Sequence, residues 1–244
     1  PSQPGVCFFP APVFFFGLER GEHFPGSLFC GLGAAGRHVV FPGVLGKNLP
    51  IFYDPPYPIR EADVLVLEST YGDRNHLDEP GAVRTKLARV IRATIERGGQ
   101  VIIPSFSVGR VQELLYLLSL LKEKGELPEV PIYLDSPMGI EATRIFTEFP
   151  EWHCLERVEV DRLCKLTTAV ESRAESIRVM RDASPAVIIS GSGMVSGGRV
   201  LHHLAARIGD PNSTVLLVGF QAVGTRGRLL RDGASEIKMH GRYY

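Results

Sequence analysis

Four stretches of this sequence bring together residue types that suit a phosphate. They are Ser105-Phe106-Ser107-Val108-Gly109-Arg110, Asp135-Ser136-Pro137-Met138-Gly139, Gly191-Ser192-Gly193-Met194-Val195-Ser196-Gly197-Gly198-Arg199, and Gly219-Phe220-Gln221-Ala222-Val223-Gly224-Thr225-Arg226-Gly227-Arg228. Glycine lets a backbone come close to a phosphate, and the arginine fork can chelate its oxygens. Glycine and serine also close strand-to-helix turns in proteins that bind nothing there, so any one stretch is readily structural. Three of them carrying arginine argue together for a polyanion. Ser105, Arg110, Gly224, Thr225 and Arg226 are then candidates to line its path.

A different chemistry is suggested at Asp63-Val64-Leu65-Val66-Leu67-Glu68, where an acidic residue follows an apolar run. A carboxylate in that place is either a cap or an active-site acid able to orient a histidine, and spacing leaves both open. Metal chemistry has little support from spacing. His202 and His203 are adjacent on a helical stretch, roughly 100° apart, and cannot share an ion. Cys7, Cys30, Cys154 and Cys164 form no Cys-x-x-Cys pair or zinc-finger spacing, which points to a reducing compartment.

The elements that must position these residues follow from periodicity. Val83, Leu87, Val90, Ile91 and Ile95 fall on one helical face opened by Pro80 and stopped at Gly98-Gly99. Val111, Leu114, Leu115, Leu118 and Leu121 form the stripe of a second helix ending at Gly125. Further helices are expected around 138–148, 170–182, 198–208 and 224–231. Between them lie Val101–Pro104, Pro131–Leu134, Ala186–Ile189 and Thr214–Val218, apolar throughout, as strands buried on both faces are. This alternation predicts an α/β fold with a doubly wound parallel sheet. The phosphate-suited stretches then follow strand ends, where such sheets bind ligands. Residues 1–75 read differently, with strands at Arg37–Phe41 and Asp63–Leu67.

Bulk properties narrow the function classes. Lysine plus arginine and aspartate plus glutamate number 27 each, so no global field draws the chain to nucleic acid and any such contact must be local. Six of the 27 cations are lysine, leaving 21 arginines, which fits phosphate handling or simply GC-rich codon usage. The apolar stretch Val6–Leu18 is interrupted by Pro10 and Pro12 and is too short to span a bilayer, so no signal peptide, membrane span or membrane partner is expected.

Taken in order, Glu68-Ser69-Thr70-Tyr71-Gly72-Asp73-Arg74, Pro104–Leu115, Ser190–Met194 with Gly197-Gly198-Arg199, and Gly219–Thr225 resemble successive motifs of the β-CASP ribonucleases of the metallo-β-lactamase superfamily. The resemblance runs from about residue 18 to the end. It implies a Rossmann-like β-CASP domain over 76–235 joined to a partial metallo-β-lactamase (αββα) portion over 1–75, with 1–17 unassigned and 236–244 starting the return into that portion. It implies zinc-dependent hydrolysis of single-stranded RNA, a cytoplasmic setting, and a homodimer as one oligomeric option. It gives Glu68 the role of orienting a histidine that protonates the leaving group. Ser192, Gly193, Met194, Gly197, Gly198 and Arg199 would grip substrate phosphates.

Two zinc ions are expected in the intact family enzyme, and here the sequence departs from it. His23, in Gly21–Ser27, is the one ligand that carries over, with a packed loop residue as the other reading. Val44 stands where the family has a bridging aspartate, and an aliphatic side chain cannot coordinate zinc. His-x-His-x-Asp-His does not occur, and the chain reads as an internal piece of such an enzyme, truncated at both ends, that binds zinc weakly or not at all. Two other functions remain open: a non-catalytic RNA-binding β-CASP module or partner subunit, and a stand-alone domain for a nucleotide or sugar phosphate. Against the last, no Gly-x-Gly-x-x-Gly or P-loop is present.

Overall fold

The computed structural model describes residues 14–21, 27–34, 37–41, 52, 61–67, 69, 72 and 81–244 apart from 107. The expectations resting on His23, Val44 and Glu68 lie outside these residues. Two compact units divide the chain, one formed by 1–77 with 150–154, the other by 78–149 with 155–244.

In the first unit β1 (Phe14–Gly21), β2 (Ser27–Ala34), β3 (Arg37–Phe41) and β4 (Val64–Leu65) form a sheet in that order. The first three run antiparallel, and β4 joins β3 in parallel. The Asp63 carboxylate accepts from the His38 amide at 2.6 Å, while the Asp63 amide donates to the His38 carbonyl at 2.8 Å, fixing the start of β4.

The second unit holds α1 (Ala82–Glu96), β5 (Gln100–Pro104), α2 (Arg110–Glu123), β6 (Ile132–Asp135), α3 (Pro137–Glu148), α4 (Arg157–Leu166), β7 (Thr168–Ala169), α5 (Arg173–Arg181), β8 (Ala186–Ser190), α6 (Val200–Arg207), β9 (Thr214–Val215), α7 (Arg226–Arg231), and a hairpin of β10 (Lys238–Met239) with β11 (Arg242–Tyr243). Five strands make one sheet, ordered β7-β6-β8-β5-β9, and every pairing is parallel. All residues of β5 and β8 are buried, as expected of strands covered on both faces. Ile102 faces α6 and the hairpin, packing with Val200, Leu204, Ile237 and Met239; its register partner Ile188 packs with Val179 of α5. The α2 stripe of Val111, Leu114, Leu115, Leu118 and Leu121 is buried in full. No helix among the described residues is long and apolar enough to cross a membrane.

Several elements differ from the sequence reading. The expected strand Thr214–Val218 pairs only over Thr214–Val215 and is half-buried, because it is the sheet's edge and has one neighbour. Of the face expected for α1, Leu87 and Ile91 are buried, together with Ala88 and Thr94, whereas Val83 is exposed. Helix α4 and strand β7 had no counterpart in the periodicity reading: α4 buries only Val160 and Leu163, and β7 has two residues. Near the end of the described residues Lys238–Met239 pair with Arg242–Tyr243 as the β10–β11 hairpin, and Ile237 and Met239 lie in the core of the second unit.

Candidate nucleic-acid interface

The register levels the strand ends. Pro104 pairs with Ser190, and Ser190 pairs with Asp135, so β5, β8 and β6 finish along one line. Because all strands are parallel, the four phosphate-suited stretches issue from this one rim. The β5-to-β6 connection passes β8 and the β8-to-β9 connection passes β5, so the two run in opposite directions and, as right-handed crossovers, lie on opposite faces of the sheet. Neighbouring strands whose connections leave to opposite faces part their loops at the carboxyl ends, where parallel sheets bind ligands.

The loops after β5 and β8 meet at that point. A Cβ placed on Gly193 would lie 2.9 Å from the Phe106 amide nitrogen, so the close approach requires glycine. Phe106 is 55% exposed. The last loop joins them: buried Gln221 donates from Nε2 to the Gly193 carbonyl at 3.0 Å, and the Gly227 amide donates to the Met194 carbonyl at 3.0 Å.

Within the 191–199 loop, the Ser192 hydroxyl accepts from the amides of Ser196 at 2.9 Å and Gly197 at 3.3 Å. The Val200 amide reaches back to the Gly191 carbonyl at 3.1 Å, closing the loop at its base. Val195 is held at φ 57, a costly region for a β-branched residue, with its side chain fully buried. The amides of Gly193, Met194 and Gly198 find no acceptor among the described residues; Gly193 and Met194 are half-buried and Gly198 is exposed. Three such amides on one loop can meet an anion.

The arginines expected to face phosphate are each engaged within the fold. Arg110 pairs with Glu113 one turn along α2. Arg226 donates from Nε to the Lys238 carbonyl at 2.6 Å and from Nη1 to the carbonyls of Val195 and Ser196, strapping the hairpin to the 191–199 loop. Arg199 donates from Nη1 to the Asp135 carboxylate at 2.7 Å and to the Val170 carbonyl at 2.9 Å, and from Nη2 to the Glu171 carbonyl at 3.2 Å. Ser105 is buried, its amide donating to the Ser190 carbonyl. Thr225 caps α7 by accepting from the Arg228 amide at 3.2 Å, and Gly224 before it takes φ 83.

Sequence reading missed what sits beneath the rim. The Asp135 carboxylate is fully buried and accepts from His203 Nε2 and Ser176 Oγ, both at 2.6 Å, as well as from Arg199. Burial raises its pKa, but the hydrogen bonds from His203, Ser176 and Arg199 outweigh that and hold the carboxyl below its ordinary range. His202, the neighbour of His203, points elsewhere and stacks on His240 with ring centroids 4.5 Å apart. A signal existed for Asp135, an acid ending a buried strand, but none for its partners. Among the described residues no three His, Cys, Asp or Glu side chains converge on a metal position.

Comparison with known proteins bears on this geometry. The family described as the Beta-Casp domain matches residues 111–230. A ribonuclease of Thermus thermophilus (TTHA0252) is 38% identical over 216 residues, covering 85% of this chain and 49% of its own. An RNase J-like protein of Methanocaldococcus jannaschii is 36% identical over 235 residues, 91% of this chain and 53% of its own. The transcription termination factor FttA of Methanosarcina mazei is 35% identical over 215 residues, 84% of this chain and 34% of its own. The chain thus spans about half the length of the first two relatives and a third of the last.

Proposed function

Given that this chain belongs to the β-CASP family of the metallo-β-lactamase superfamily, we propose that it is the RNA-holding part of a ribonuclease that hydrolyses phosphodiester bonds of single-stranded RNA. The observation that carries this reading is the level rim at the ends of β5 and β8, where the amides of Gly193, Met194 and Gly198, without an acceptor among the described residues, lie near the exposed Phe106. Amides can take a backbone phosphate and an exposed aromatic ring can stack on a base, a pairing that suits single strands whose bases are free. The ribonuclease name of the Thermus relative supports the same substrate class.

Zinc-dependent cleavage is part of the proposal for the family enzyme, but the donor set on this chain does not fit a pair of zinc ions. His23 is the single histidine carried over by motif, Val44 occupies the aspartate position, and no cluster of three donors forms among the described residues. The role argued for this chain's own residues is therefore to bind and orient RNA. Val44 favours a second reading, a non-catalytic RNA-binding module, whereas Glu68 favours the enzyme.

The test is to titrate the chain with a fluorescent single-stranded oligoribonucleotide and, in parallel, to assay cleavage and zinc content with and without chelator. Binding without cleavage or stoichiometric zinc is expected. Absence of binding at low salt would remove the RNA reading, and cleavage insensitive to chelator would overturn the metal argument.

A further inference from the structure

The buried cluster under the rim has a role that the RNA reading leaves unassigned. An ionised carboxylate with no exposure is strongly disfavoured unless its lone pairs are filled, and Asp135 fills them from three side chains. Oδ2 accepts from Ser176 on α5 and from His203 on α6, Oδ1 accepts from Arg199 at the head of α6, and the Asp135 carbonyl accepts from Ser190 Oγ at 2.8 Å. Arg199 extends the cluster to the Val170 and Glu171 carbonyls. A guanidinium that turned outward to chelate a phosphate would leave the Asp135 charge buried without its cationic partner. Arg199 is also the last residue of the 191–199 loop, so whatever fixes its side chain fixes one end of that loop. The other end is tied by the Val200 amide to the Gly191 carbonyl.

Resting on the RNA reading above, we propose that Asp135, His203 and Ser176 are positioning residues that hold Arg199 as a strut, so that the loop offers phosphate its backbone amides and not the Arg199 side chain. The amides of Gly193, Met194 and Gly198 are the contacts, and the ion pair beneath them sets their direction.

Two readouts on the full chain test this. The first is the salt dependence of affinity for a single-stranded oligoribonucleotide. Asp135→Asn and Arg199→Ala should each weaken binding about tenfold with an unchanged slope of log K against log salt, and the double variant should lose no more than the worse single one. A direct phosphate ligand behaves otherwise: its loss lowers the slope by about 0.7. The second is amide hydrogen exchange without RNA, which should quicken at the bonded loop amides of Ser192, Val195, Ser196 and Gly197 in both variants and stay unchanged in α1. His203→Gln, which keeps a donor, should preserve slow exchange where His203→Leu does not. If Asp135→Asn fails to fold, Ser176→Ala and Arg199→Lys carry the same two readouts. A slope lowered by Arg199→Ala, or loop exchange untouched by Asp135→Asn, overturns the proposal. Should the unaltered chain bind no RNA, the substrate reading fails and the exchange measurement still decides the positioning.

Discussion

At Gly198 the absence of a side chain decides whether the 191–199 loop can close. Its φ is +77, and a Cβ would lie 2.4 Å from the Gly191 carbonyl oxygen, a backbone atom that cannot swing aside. Gly197, one residue earlier, has open space where its Cβ would be. Gly198→Ala should therefore cost about 1–3 kcal/mol in denaturant unfolding and weaken RNA binding, while Gly197→Ala stays near neutral. Equal effects at the two sites would show that the loop is not closed in this way. Both glycines were legible in the sequence as places where a backbone could approach phosphate. The structure adds that Gly198 is needed first for the loop to meet itself. Arg199 was legible as a cation on the rim, yet its partner Asp135 lies 64 positions away, and residue type carries no information about a pairing at that distance.

Among the elements, those most readily read from sequence are those whose surroundings are uniform. Strands β5 and β8 are buried along their whole length, and so are Leu114, Leu115, Leu118 and Leu121 of the α2 stripe, so hydrophobic pattern and structure agree. Pattern fails where an element has mixed surroundings: β9 reads as a full strand but is an edge, and α4 shows two buried residues among charged ones. The Asp135 strut belongs to this scale because it joins β6 to α5 and α6. Its carboxyl has a folded pKa below the ordinary value. The stability it contributes is thus complete above the unfolded value of about 3.9 and is lost as pH falls through the lower folded one. Asp135→Asn should be less stable than the unaltered chain at pH 7, with the gap narrowing below about pH 4. Thermal melts across that range check this, and a gap that stays constant into acid would contradict it.

For the whole molecule, balanced charge removes long-range attraction, so any affinity for RNA must come from one region. The parallel sheet supplies such a region by bringing the ends of β5, β6 and β8 level and sending the connections of the neighbours β5 and β8 to opposite faces. The chain spans about half the length of its ribonuclease relatives, and the level rim of its second unit is the part on which the proposed RNA-holding role rests. The most direct test is amide hydrogen exchange of the chain with and without a saturating single-stranded oligoribonucleotide. Protection confined to 105–109, 191–199 and 219–226 is the predicted result. Protection at the opposite ends of the strands, or none at a concentration where anisotropy shows binding, would contradict the account.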